Sequence, residues 1–131
     1  MQFSKNWLND FIDIDLSTED ICAQLTMAGL EVDGFENINS KITGKDSIIK
    51  LDITPNRGDC FSVLGVAREL AVINNLKLRL PEILSVENSF KDNVQVKACP
   101  EGPSYYGRTL KNLSLNSKTD PLIAERLRLS D

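Results

Sequence analysis

The sequence predicts an α+β fold built from short helices and short strands. Three stretches carry that prediction. From Ile48 to Asn75 an alternating segment, IIKLDITPN, runs through a turn into an apolar segment of helical period. From Ser17 to Gly29 a second helix has both ends marked, and Leu76 to Leu80 alternates again before Pro81.

The first of these organises the rest. Ile49, Leu51 and Ile53 share one face while Lys50 and Asp52 point the other way, the period-two pattern of a half-buried edge strand. Pro55 ends it, and Thr54, as the residue before proline, is held extended. Asn56-Arg57-Gly58 supplies residues that tolerate positive φ, so a tight turn is expected there, with Asp59 capping the following helix. Val63, Val66, Ala67, Leu70, Ala71 and Ile73 then make one apolar helical face. Gly65 sits inside that helix at a cost of about 1 kcal/mol relative to alanine, which a close approach by another backbone would explain.

Towards the N-terminus, Ser4 is placed to cap a short helix carrying Trp7, Leu8 and Phe11 on one face, and Trp7 reads as a core anchor. Ser17-Thr18-Glu19-Asp20 is a capping-box variant, Ile21, Leu25 and Ala28 form a stripe, and Gly29 is a natural stop. Leu30, Val32 and Phe35 suggest a short strand interrupted at Asp33-Gly34. Asn37 to Ser47, NINSKITGKDS, is polar and turn-rich and reads as a linker.

Pro81 to Asp92 has the composition of an interdomain connection. Val94 and Val96 read as the start of a strand, Pro100 to Ser104 as a turn, and Tyr105 to Leu115 as a second strand with Gly107 as a bulge. Asp120-Pro121 opens a last helix, whose face is Leu122, Ile123, Arg126 and Leu127. The chain stops soon after, as a fragment would.

Composition narrows the function classes. The chain has 131 residues, 41% hydrophobic and 26% charged, enough for one ordinary domain or a small domain and part of another. No apolar run is long enough to span a bilayer, and MQFSKNWLNDF has no secretory character, so the cytoplasm is expected. Cys22, Cys60 and Cys99 are odd in number and widely spaced, giving neither a disulfide framework nor a metal-ligand motif. The absence of histidine removes the commonest general base and zinc ligand. The net charge of −4 argues against generic polyanion capture. The charge is uneven: nine acids and three lysines over residues 1–46 give −6, and five bases and two acids over residues 105–129 give +3. That asymmetry fits an RNA-facing end and a solvated surface equally well.

No catalytic, cofactor-binding or metal-ligating residue is assigned. Cys60 has no histidine partner and no neighbouring cysteine, and reads as structural. Asp59 reads as a cap rather than an acid or base. Arg57-Gly58-Asp59 is better explained by turn chemistry than as an adhesion tripeptide. The seven glycines are dispersed and form no phosphate-cradling loop. Tyr105, Tyr106 and Arg108 are types that stack on and clamp RNA, but ordinary strand content accounts for them.

Two stretches carry a family resemblance. TPNRGDCFSVLGVARELAV resembles the strand-turn-helix segment of the bacterial phenylalanyl-tRNA synthetase beta subunit, and NWLNDFIDIDLSTEDICAQLTMAGLEVDGFE resembles its opening segment. Residues 94–129 are similar, more weakly, to the start of the family's next domain. The resemblance implies a small helical, winged-helix-like structural domain with short strands over residues 1–86. Residues 87–131 would be the first strands and helix of an incomplete α/β editing-type domain. Family members usually carry an inserted oligonucleotide-binding-fold module between the two matching segments, and this chain has only residues 37–47 there. An inserted domain leaves and re-enters its host at nearby points, so a short loop closes the gap at modest entropic cost.

The resemblance further implies a parent enzyme of alpha and beta subunits that attaches phenylalanine to tRNA(Phe) using ATP and magnesium, with the aminoacylation residues on the alpha subunit. The present stretch would then be a docking element without its own active site, and no family editing residue falls within it. The alternative is a free-standing winged-helix-like module that binds nucleic acid or protein. An independent hydrolase lacks reactive partners.

Overall fold

In a computed structural model, which describes residues 1–87, 89–91, 99–102 and 104–130, three antiparallel strands lie in the order β1-β3-β2. β1 is Gln2–Ser4, β2 is Glu31–Ser40 and β3 is Gly44–Asp52. Around them lie α1 (Lys5–Leu8), α2 (Thr18–Met27), a 3₁₀ segment (Pro55–Cys60), α3 (Val63–Ile73) and α4 (Pro121–Leu129). The architecture is α+β.

β3 is the central strand rather than an edge, because β1 pairs with its far side, Phe3 opposite Ile49. The faces are as the alternation predicts: Ile49, Leu51 and Ile53 are buried, Lys50 and Asp52 exposed. The expected linker over 37–47 is not a linker. Asn37 faces Ser47 and Ser40 faces Gly44 across a hairpin ladder, leaving only Lys41, Ile42 and Thr43 at its tip. The interruption at Asp33-Gly34 is a bulge in β2, with Gly34 at φ 142° and the register shifting between Val32 and Gly34.

Local signals set the helix ends. Ser4 Oγ accepts from Trp7 N and Ser17 Oγ from Asp20 N, each satisfying a free donor of its first turn. α2 closes with Gly29 at φ 83°, so that Leu30 N reaches Leu25 O at 3.0 Å. α3 closes the same way with Asn75 at φ 51°, and Leu76 N donates to Ala71 O at 2.8 Å. Two expectations before α3 change. Residues 55–60 make a 3₁₀ turn with no positive φ, Arg57 standing at φ −109° and ψ 39°. The cap of α3 is Ser62, whose Oγ accepts from Gly65 N at 3.0 Å, and not Asp59.

The matched segments share one interior. Phe3, Leu8, Ile12, Ile21, Leu25 and Leu30 cluster with Ile49, Leu51, Cys60, Val66, Ala67 and Leu70, all at 1% exposure or less. Each fully buried Leu or Ile contributes about 1.5–3 kcal/mol. Trp7 lies at the margin, half-buried against the cluster, with Phe11, Leu76 and Leu78. Leu76 and Leu78 alternate with exposed Lys77 and Arg79 but form no ladder; Arg79 N instead donates to Phe11 O at 2.6 Å. Ile73, expected on the inner face of α3, is 44% exposed.

The chain divides into two compact units, residues 1–82 with 119–131, and residues 83–118. In the second, Cys99 and Gly102 close a turn. Tyr105 to Leu115 forms no strand, since no described segment offers it a ladder, and Gly107 is therefore not a bulge. The strand expected at Val94 and Val96 lies outside the described residues. In the first unit, Asp120 Oδ1 caps α4 by accepting from Leu122 N and Ile123 N, as the sequence predicts. Its inner face differs: Glu125 and Leu129 are buried, while Leu122, Ile123 and Leu127 face outwards.

Candidate functional site

Among the described residues, one close grouping of ionisable side chains centres on Arg57. The 3₁₀ turn aims its guanidinium across the end of α3, where Nη2 meets Asp59 Oδ2 and Glu69 Oε1, each at 3.1 Å, and Cys60 Sγ at 3.0 Å. Nη1 donates to Ala28 O, the carbonyl at the end of α2, at 3.4 Å. One cation therefore ties the α2 terminus, the turn and α3 together. Asp59 holds the guanidinium well above its ordinary range, and Arg57 in turn holds the Asp59 carboxyl down at about 2. Burial, followed by the hydrogen bond to Asp59, pushes the Cys60 thiol up to about 11.

These shifts decide what the cluster can do. Cys60 is fully buried and protonated at neutral pH, so it is no nucleophile. Asp59 is ionised and hydrogen-bonded, which leaves it a weak base. Asp59, Cys60 and Glu69 are the acid and thiol side chains that lie close enough to share a metal ion among the described residues, within 4.8 Å. Arg57 already stands at their centre, and a thiol is a poor ligand for a hard cation such as magnesium. The magnesium that the resemblance attaches to the parent enzyme therefore does not fit here. The cluster is a structural tie.

A second node joins the N-terminus to the hairpin. Asp46, buried on β3, accepts from Ser4 Oγ at 2.5 Å, Asn6 N at 3.0 Å and Ser47 N at 2.7 Å. Asn6 Nδ2 adds bonds to Thr43 O and Lys45 O. The cleft of about 620 Å³ beside it is polar, lined by Lys5, Asn9, Asp15, Asn37 and Asn39 among others. A further cleft, of about 480 Å³, is apolar and carries Trp7, Phe11, Phe61, Val63 and Leu64. Phe61 is 57% exposed although it directly precedes the Ser62 cap.

The residues weighed from sequence thus separate. Arg57, Asp59 and Cys60 come together, with Glu69 added from α3. Tyr105, Tyr106 and Arg108 are exposed in the other unit. The Arg57–Glu69 pair carried a faint signal, one helical face shared by Glu69 and the turn, whereas the Asp46 node carried none because its partners are about 40 residues away.

Comparison with known proteins bears on what these elements belong to. No family model matches the chain. It is 43% identical over 95 residues to the phenylalanine–tRNA ligase beta subunit of Acinetobacter baylyi, covering 72% of this chain and 12% of that protein. Against the same-named subunit of Legionella pneumophila the identity is 47% over 88 residues, 63% of this chain and 11% of the relative. Against that of Rhodopirellula baltica it is 31% over 127 residues, 92% of this chain and 18% of the relative. The chain thus spans about an eighth of the length of the curated relatives it matches. With one interior built from the two resembling segments, and similarity extending over most of its residues, the chain belongs to the phenylalanine–tRNA ligase beta subunit family.

Proposed function

We propose that this chain acts as a scaffold in the N-terminal region of a phenylalanine–tRNA ligase beta subunit. In this reading the whole enzyme joins phenylalanine to tRNA(Phe) with ATP and magnesium, and this stretch presents docking surfaces to the alpha subunit without a reaction centre of its own. Residues 1–86 act as a winged-helix-like structural domain, and residues 87–131 begin an editing-type domain, with α4 belonging to the latter in sequence. The tRNA is met through the assembly.

The observation that carries the reading is how the reactive groups are spent. The cluster of Arg57, Asp59, Cys60 and Glu69 sets its one cation against both carboxylates and fastens three elements, while an apolar cleft lies at Trp7, Phe11 and Phe61. An apolar cleft carrying half-buried Trp7 and Phe11 beside exposed Phe61 suits a protein partner better than a phosphate backbone.

Co-expression with an alpha subunit of the same family tests the proposal. The expected result is co-purification of the two chains, with no salt-dependent binding of tRNA by this chain alone. Failure to co-purify, together with steeply salt-dependent binding of tRNA or duplex, would favour a free-standing nucleic-acid-binding module.

A further inference from the structure

A helix fixed permanently to a core turns its apolar face inward. α4 does the reverse, with Leu122, Ile123 and Leu127 at 40%, 55% and 69% exposure while Glu125 and Leu129 are the side chains that it buries. Its attachments are otherwise polar. Glu125 accepts a hydrogen bond from Ser40 Oγ at the end of β2. Arg126 is paired with Asp10 and lies over the Trp7 ring, 5.1 Å from its centroid. Arg128 braces Glu125 from within the helix, at 2.8 and 2.9 Å.

Three physical facts follow from this geometry. A nine-residue helix does not persist alone in water, so the order of α4 depends on its seat. Partly exposed ion pairs are weak and are screened by salt. The seat has a single apolar anchor, Leu129, whereas α3 buries Val63, Val66, Ala67, Leu70 and Ala71.

We propose that α4 is a releasable strap. It is closed over Trp7 and the end of β2 by Arg126 and Glu125, and it opens as ionic strength rises while the remainder of its unit stays folded. Opening bares the Trp7 ring and withdraws Glu125 and Leu129 from their seat in one event.

Amide hydrogen exchange and Trp7 fluorescence on the whole chain test this, Trp7 being the only tryptophan. Salt is raised from about 0.1 M to about 1 M, over which the screening length falls from about 10 Å to about 3 Å. Residues 121–129 should exchange at least about tenfold faster at high salt, with residues 63–73 unchanged and the Trp7 emission shifted to the red. Arg126→Ala should produce the same pattern at low salt. Protection of α4 that persists at high salt overturns the proposal, as does an α4 unprotected at both concentrations. Loss of protection in α4 and α3 together also overturns it, because the strap would then have no opening of its own.

Discussion

Gly65 shows how much a single position can disclose. Its sequence context announces a penalty that a close backbone approach would explain, and the structure supplies that approach: a Cβ built there would stand 2.0 Å from Asp59 O and 3.0 Å from Cys60 Cα. Those atoms are backbone of the 3₁₀ turn and cannot swing aside as a side chain would. Gly65→Ala should therefore lose about 1–3 kcal/mol of stability through overpacking, despite the better helix propensity of alanine. Chemical denaturation measures this directly, and an unchanged or higher midpoint would show that the turn yields. Other single positions were legible for the same local reason: Ser4, Ser17 and Asp120 each cap the helix that follows them. Asp59 was misread because two capping residue types, Asp59 and Ser62, precede α3. Ser62 stands immediately before Val63 and caps, while the Asp59 carboxylate is engaged by the Arg57 guanidinium through Nε at 3.2 Å and Nη2 at 3.1 Å.

At the scale of elements, periodicity located α2, β3 and α3, since each turns an apolar face to one interior. It caught the first part of β2, around Val32 and Phe35, and missed the paired residues on either side of the hairpin tip. Every β2 residue is exposed or half-buried, so Asn37, Ile38, Asn39 and Ser40 show no apolar alternation, and their strand character comes only from pairing with β3. α4 was located by its cap, but its inner face was not, because Glu125 is drawn in by Ser40, 85 residues earlier. The Arg57–Asp59 pair makes stability depend on pH. The folded Asp59 carboxyl is depressed from 3.8 to about 2, so its contribution is complete above pH 3.8 and is lost as pH falls through about 2. Compared with an Asp59→Asn variant, the native chain should be the more stable above pH about 4, with the gap closing towards pH about 2. Urea midpoints taken across that window decide it; a gap independent of pH would mean that the pair contributes nothing through charge.

For the whole molecule, the two segments that resemble one family are separated by residues 37–53, most of the β2–β3 hairpin, yet they contribute to the same interior. Phe3 from the N-terminal strand and Leu25 from α2 are as completely buried as Leu70 from α3. This common core is what allows a chain spanning about an eighth of its relatives' length to hold a defined surface. Its closure was readable because both segments carry apolar faces with nothing else to cover them. The second unit was less readable: Tyr105 to Leu115 has strand-like residues, but its side chains stand largely in solvent and no described strand pairs with it. The most direct test of the shared interior is residue-resolved hydrogen exchange on Leu25→Ala. If α2 and α3 form one body, the change made in α2 should lower the opening free energy of amides in both helices by the same amount, about 2–5 kcal/mol. A loss confined to residues 18–27, with residues 63–73 keeping their full protection, would contradict it.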